Sequence, residues 1–490
     1  MIFQNYEQQK IISMLNEAAS ESNLIVFNSI IKDIIKRNEE DKNRMITLWK
    51  EYSGETPITK LPDTSNPTKP NNKLSHDFRG IIVNQLVGYM FGTPIKYKIE
   101  SNINSYTESE ISEYTKELES FIKFNILKKL DSETATYTSV CGKAYRLMYY
   151  TNVIDNEGKD KVEVVVKNIK PWEAIVIKNP TVDEVEYAMI YYKIEEEVNG
   201  KNTSRYHIEF YDNKYVYYFI ENDKGDFEYD SEFGNPIQIH GFDFVPVIQF
   251  VNNNLEIGDF EKVRSLIDGY DKIISSAVND LETFANAYLA FFGVKPTIES
   301  LKEAKQLGAF YVPDSGGDKQ ADVRFITKEI ATNNITDITK IINNDIYRFS
   351  STVDMSDENF SGAAQTGESR KWKLFALEVK AKEKERYYEE SIINMLKVLI
   401  SFWRKVKNIK LNVSDINIVF DRSIPIEYSI SDLVQLHNAG LISTETILAN
   451  IHIVNNVKTE YQKILEEKSG DLAETVKILS DVNSNVNNIS

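Results

Sequence analysis

The sequence holds a single cysteine, Cys141, in 490 residues, which excludes an intrachain disulfide and any multi-cysteine metal centre. Glycine (20) and proline (12) are scarce, a balance that suits long helices and Tyr-rich sheet better than a loop-dominated fold. No stretch reaches the roughly 18 uninterrupted apolar residues that a membrane-spanning helix needs. The opening MIFQNYEQQKIISMLNEAASES lacks a basic segment followed by an apolar run, so no signal peptide is expected, and a cytoplasmic, reducing origin fits. Basic charge is also short. Lys and Arg number 57 against 74 Asp and Glu, a net charge of −17. A tight DNA binder gains affinity by placing cations on phosphates and releasing counterions. An acidic chain without a Lys/Arg-rich block suits solubility, or a surface that DNA passes without sticking.

Catalytic constellations are missing as well. The histidines, His76, His207, His240, His437 and His452, form no HExxH and no paired spacing, so no metal site is expected. There is no GxSxG elbow, and no histidine stands near Cys141 to activate it. The segment Gly362-Ala-Ala-Gln-Thr-Gly367-Glu368-Ser369 matches the phosphate-loop spacing GxxxxGK[ST] except at one position. That position needs Lys to reach the phosphates, and Glu368 places a negative charge there. The acids Asp354, Asp357 and Glu358 read as a solvated loop. The run LEVKAKEKERYYEE (377–390) reads as an exposed helix face with i,i+4 pairs. No catalytic residue, metal or cofactor is expected, and the chain reads as a non-enzyme.

What is present is globular material: 42% hydrophobic and 27% charged residues, with 27 Tyr and 24 Phe. At this length two or more cores are expected, since single cores stop growing near roughly 250–300 residues. Helical periodicity marks 6–50, about 74–91 and about 108–130, with a proline-bearing loop or arm at 54–72. From 143 to about 250 the period falls to two, in AYRLMYY, KVEVVVKNI, VEYAMIYYKI, RYHIEFY and KYVYYFI, separated by turns such as DNEGKD and NDKGD. Pro246 places FVPVIQF at a sheet edge. Residues 259–289 then carry an apolar stripe from Phe260 to Tyr288 that predicts about 46 Å of helix, with Asp259 as its N-cap. A mixed unit over 292–332 follows, with a small helix in KPTIESLKEAKQLG and strands at AFYVP and VRFIT. Helices at about 334–350 and 368–407, a strand at 416–422, and short helices near 431–439, 443–453 and 455–468 complete the chain. Ser443 to Thr446 reads as a helix cap, and the last dozen residues as a disordered tail.

Several strings resemble the portal proteins of tailed bacteriophages, specifically those of siphoviruses of Gram-positive hosts. They are NNKLSHDFRGIIVNQLVGYMFGTPIKY (71–97), VPVIQFVNNNLEIGDFEKVRSLIDGYDKIISSAVNDLETFANAYL (245–289), LGAFYVP (307–313), NDIYRFSSTVDMSDENFSGAAQTGESRKWKLFALEVKAKEKER (344–386) and IPIEYSISDLVQLHNAGLISTETIL (424–448). They span most of the chain in order. The loop SGAAQTGESRKWK (361–373) departs modestly from the family's usual form.

The resemblance implies an α+β, mostly helical portal fold of wing, stem, clip and crown. In that frame 1–257 and 365–427 are the wing, the latter holding the long helix and a return strand. Residues 258–291 and 333–352 are the stem helices, 292–332 the clip, 353–364 the tunnel loop, and 428–490 the crown with its disordered tail. It implies a ring, a dodecamer in the virion, at one capsid vertex, through which double-stranded DNA is packaged and ejected. The implied partners are other copies of the chain, the terminase large subunit, the head-tail connector or adaptor, and the major capsid and scaffolding proteins, with no membrane. The protein would be made in the bacterial host cytoplasm and reside in the virion. Implied channel residues are Val353, Asp354, Met355, Ser356, Asp357, Glu358, Asn359, Phe360, Ser361 and Gly362. Lys302, Lys305, Tyr311, Asp314, Asp318 and Lys319 are implied to face terminase or connector from the clip. The rival readings are another head-vertex connector or adaptor protein, and a DNA-packaging ATPase. The long helix–clip–helix order and the defective phosphate loop stand against them.

Overall fold

The computed structural model describes residues 24–63, 69–99, 106–154, 160–198, 201–231, 234–284, 288–292, 296–299, 322–326, 332–355, 374–422 and 430–449, with 13–14, 158, 301–302, 457 and 460–467. The chain divides into two units, Met1–Ser423 and Ile424–Ser490. Helices and antiparallel sheets alternate in the first, so the architecture is mixed α+β.

Helix α1 (Leu24–Tyr52) repeats apolar residues at three- and four-residue steps, which gathers Phe27, Ile30, Ile31 and Ile34 on one face. That face covers a six-stranded sheet formed by β4 (Ala174–Lys178), β5 (Val185–Val198), β6 (Lys201–Tyr211), β7 (Tyr215–Glu221), β8 (Phe227–Tyr229) and β9 (Ile237–Ile239). The strand period of two sorts the sheet's side chains onto two faces. Tyr187, Met189 and Tyr191 of β5 turn to α1, joined by Ile208, Phe210, Tyr217 and Phe219. The alternate residues Ala188 and Ile190, with Tyr211 and Val216, turn the other way. They meet Tyr145, Leu147, Ile169 and Val247 of a three-stranded sheet. Its strands are β2 (Lys143–Ile154), β3 (Asp160–Ile169) and β10 (Val247–Val251), in the order β10-β2-β3. Strand β10 lies at the edge, as Pro246 requires.

Helix α2 (Phe78–Phe91) starts four residues later than its periodicity suggests, at Asp77, whose carboxylate accepts the Gly80 N–H at 2.8 Å. Strand β1 (Lys96–Ile99) pairs with β13 (Ile416–Val419) across more than three hundred residues. The helix read over 108–130 is two helices, α3 (Glu108–Phe124) and α4 (Leu127–Cys141). The break has a local cause. The Asn125 amide donates to the Val164 carbonyl at 2.9 Å and accepts the Val166 N–H at 2.7 Å, acting as a strand partner to β3. Ile126 takes a left-handed conformation (φ 48°) to let the chain turn.

The stripe read as one helix over 259–289 begins with a 3-10 turn at Glu261–Val263 and becomes α5 (Arg264–Phe284), 21 residues or about 32 Å. Tyr288–Phe292 is not helix but strand β11, paired antiparallel with β12 (Asp322–Ile326). Apolar spacing there fits both periods, and pairing with β12 decides for strand. Helix α6 (Thr332–Ser350) packs on α5. The long helix α7 (Phe375–Val406) buries Leu377, Ala381, Tyr388, Ile392, Met395 and Leu399 along one side. Tyr388 packs on Phe91 (4.7 Å between ring centroids) and Phe250 (4.8 Å), and Trp403 meets Phe121 edge-on at 6.0 Å. The second unit holds α8 (Ile430–Asn438) and α9 (Thr444–Ala449) with Leu433, Ile447 and Leu448 buried. Ser443 caps α9 by accepting the Thr446 N–H at 3.2 Å. The AFYVP strand, residues 368–373 of the long-helix reading and the C-terminal tail lie outside the described residues.

Phe27 is buried to 1% exposure against Phe210, Tyr217 and Phe219 at 5.4–6.0 Å. Phe27→Ala should cost about 3–5 kcal/mol, read as a lower urea midpoint. A loss under about 1 kcal/mol would show that α1 is not part of this core.

Candidate functional site

The pair α5 and α6 roots in the first unit through a junction whose chemistry is that of buried ion pairs. An extended stretch, residues 72–76, runs along α5 and donates its alternate backbone N–H groups to a polar stripe. The Asn72 N–H reaches Asn279 Oδ1 at 2.7 Å, Leu74 N–H reaches Ser275 Oγ at 3.0 Å, and His76 N–H reaches Asp271 Oδ1 at 2.9 Å. Two extended residues advance about 6.6 Å and four helical residues about 6.0 Å, so the two repeats stay in step over three contacts. The sequence reading left these residues in a loop and a helix start.

At the base of α5, Glu51 of α1 is 3% exposed and accepts from both Arg79 (Nε, 3.1 Å) and Arg264 (Nε, 3.0 Å). Arg79 also donates to Asp268 of α5 at 2.6 Å. Burying an arginine is tolerable only where carboxylates and hydrogen bonds replace water.

The second anchor is Asp259. It does not cap α5; the chain passes through the 3-10 turn first. Its carboxylate sits beside Lys380 (3.2 Å) and Lys384 of α7, accepts Ser139 Oγ–H at 2.5 Å, and accepts the Asn252 amide at 3.1 Å. Burial alone would raise this carboxyl, but the two lysines and the hydrogen bonds outweigh it and hold the group well below the ordinary carboxylate range. Gly258 just before it lies so close to the Val140 carbonyl that any side chain would collide. The run 377–390 is therefore not an exposed face throughout. Lys384 is buried, and Glu378 and Glu385 hold Arg422, with Glu378 also accepting the Tyr89 hydroxyl at 2.5 Å. Lys382 with Glu378 makes the anticipated i,i+4 pair in this stretch, with the lysine exposed and Glu378 only partly so.

The end of α6 is fixed from two sides. Lys380 donates to the Ser350 carbonyl at 2.8 Å. Gln85 of α2 exchanges two 2.8 Å hydrogen bonds with the backbone of Val353. Of the predicted channel residues, Val353 is thus half-buried and clamped, Asp354 accepts from Asn343 at 3.2 Å, and Met355 is exposed. Ser356, Asp357, Glu358, Asn359, Phe360, Ser361 and Gly362 lie outside the described residues, as do Lys305, Tyr311, Asp314, Asp318 and Lys319. Lys302 is exposed in a helical turn. Cys141 is buried, and burial pushes its thiol far above the usual range, which suits packing and not nucleophilic attack. Among the described residues no group of three or more His, Cys, Asp or Glu could hold a metal ion, and no helix is long and apolar enough to cross a membrane.

Comparison with known proteins gives a consistent picture. The family model described as "Phage portal protein, SPP1 Gp6-like" matches residues 31–473. The portal protein of Clostridium phage phiCD119 is 27% identical over 438 residues, covering 86% of this chain and 89% of its own. The portal protein of Bacillus phage SPP1 is 26% identical over 418 residues, covering 82% and 77% respectively.

Asp259→Ala leaves Lys380 and Lys384 facing each other without a counter-charge and should destabilise the chain by about 3–5 kcal/mol. Because this carboxyl ionises more readily folded than unfolded, its contribution is whole above the ordinary aspartate range near pH 4 and is lost as pH falls below it. Melting temperatures taken from about pH 5 down to pH 2 should thus drop more steeply for the parent chain than for Asp259→Asn. Parallel curves would contradict the assignment.

Proposed function

Because this chain belongs to the SPP1 Gp6-like family of phage portal proteins, we propose that it forms a closed ring at a capsid vertex, a dodecamer in the virion. Double-stranded DNA enters and leaves through its centre. The role is structural and not catalytic. In this reading 1–257 and 365–427 build the wing, 258–291 and 333–352 the stem, 292–332 the clip, 353–364 the tunnel loop and 428–490 the crown. The clip meets the terminase large subunit during packaging and the head-tail connector afterwards. The rim meets capsid and scaffolding proteins.

The observation that carries the ring is an uncovered apolar stripe on the helix pair. Ile338, Ile341 and Phe349 of α6 recur at helical spacing and are 48%, 60% and 56% exposed, and Leu281 of α5 is 51% exposed. Monomeric proteins rarely leave such a row in water. A neighbouring copy of the same helix pair covers it, and repetition of that heterologous contact closes a ring. The fixed root described above supports the same reading, since staves of a ring need a rigid mount. A channel built from copies of charge −17 repels phosphate and lowers the chance that DNA sticks.

Negative-stain microscopy and analytical ultracentrifugation of the purified chain should show rings with a central hole. Ile341→Glu should shift the population to monomers while leaving the melting curve of the first unit intact. A parent chain that stays monomeric at every concentration would end this reading. For the channel, replacing Asp354, Asp357 and Glu358 by Lys should stall DNA packaging in a salt-dependent manner; packaging at the parent rate would remove these acids from the channel lining.

A further inference from the structure

The helices α5 and α6 run antiparallel, since Lys380 reaches both the segment leading into α5 and the Ser350 carbonyl at the end of α6. Phe78 fixes their relative height. Its ring packs edge-on against Tyr270 of α5 (5.1 Å between centroids) and Tyr347 of α6 (6.0 Å), so the two tyrosines mark one level. Counted away from the root at 1.5 Å per residue, Lys272 and Asp345 both stand about 3 Å beyond that level, and Ser276 and Ile341 both about 9 Å. Gly269 and Phe349 lie on the root side of it, by about 1.5 and 3 Å. Ile341, Asp345 and Phe349 recur every four residues and so share one face of α6; Ile341 and Phe349 are 60% and 56% exposed. Gly269, Lys272 and Ser276 likewise share one face of α5, with Lys272 and Ser276 exposed. A glycine inside a helix weakens it, yet a Cβ at Gly269 would meet nothing within 4 Å among the described residues. No neighbour within the chain requires it. Lys272 and Asp345 form no ion pair among the described residues. Their local alternatives are engaged elsewhere: Asp268 is held by Arg79, and Arg348 lies over the Phe349 ring at 6.0 Å.

We infer that the Ile341–Asp345–Phe349 face of α6 docks in register on the Gly269–Lys272–Ser276 face of α5 of the next copy. The inference rests on the ring reading and adds to it the face and the register of the contact. Rotation about a ring axis carries a residue around the axis and not along it. Staves that run along the axis therefore present each level to the same level of their neighbour. Phe349 then covers Gly269, where the missing side chain leaves room for a ring. Asp345 meets Lys272, and Ile341 lies on Ser276. The apolar residues supply the affinity, while the charge pair selects the register. A two-fold contact of α6 on α6 centred on the same row would set Asp345 against itself, which like charge opposes, and it would close a dimer instead of a ring.

The test uses the full chain with Ser276→Cys and Ile341→Cys together, oxidised with copper–phenanthroline and run on a denaturing, non-reducing gel. Cys141 is buried and stays out of the reaction. A disulfide forms only where the two Cβ atoms approach to about 3.5–4.5 Å, so a head-to-tail contact in this register gives a ladder of covalent oligomers. Either single variant should stay at the size of one chain, and a mixture of the two should stop at dimers. Charge exchange gives a second readout that needs no new bond. Lys272→Glu and Asp345→Lys should each raise the concentration at which rings assemble by about tenfold or more, and the two together should return it to within about twofold of the parent. Rings without a ladder, a dimer from Ile341→Cys alone, or a double charge exchange no better than the single ones would overturn this contact and leave the ring reading standing. A parent chain without rings would end both.

Discussion

A carboxylate taken out of water needs counter-charge held in a fixed place, and Asp259 finds it on a helix 125 residues further along the chain. That requirement ties together α4 through Ser139, the end of β10 through Asn252, and α7 through Lys380 and Lys384. The α5 helix leaves from this point, so its direction follows from a charge cluster and not from its own sequence. Lys380 also donates to the last carbonyl of α6. One lysine therefore joins the segment that leads into α5 to the end of α6. Buried ion pairs are seldom the cheapest way to gain stability, but they tolerate few alternative arrangements. A part that must hold a defined angle benefits from that intolerance.

The second constraint is the match between an extended segment and a helix. Asp271, Ser275 and Asn279 form a polar line on α5 that residues 72–76 occupy almost in step. With its polar line used inside the chain and its apolar residues Ile338, Ile341, Phe349 and Leu281 left exposed, the helix pair is directional, and the proposed ring contact would use the exposed side.

Much of this was legible from residues alone. The change of period at Lys143 marks the β region, the edge position of β10 follows from Pro246, and Ser443 caps its helix as its type suggests. The family resemblance rests on ordered strings and agrees with the match over residues 31–473. Other features were hidden for a physical reason. Asn125 is a side chain that substitutes for a strand, a role no local pattern announces. Tyr288 to Phe292 continue a helical apolar spacing, and only pairing with β12 makes them a strand. Lys384 sits in a run of alternating charge that looks solvated, because sequence does not reveal that Asp259 faces it.

The sequence by itself determined the class of elements, the acid excess and the family, because each depends on composition, period or ordered strings. The tertiary structure alone decided where helices stop, which charges are buried and which apolar face remains open. Those outcomes depend on what distant segments bring to the same few ångströms, and no local rule encodes the identity of that neighbour.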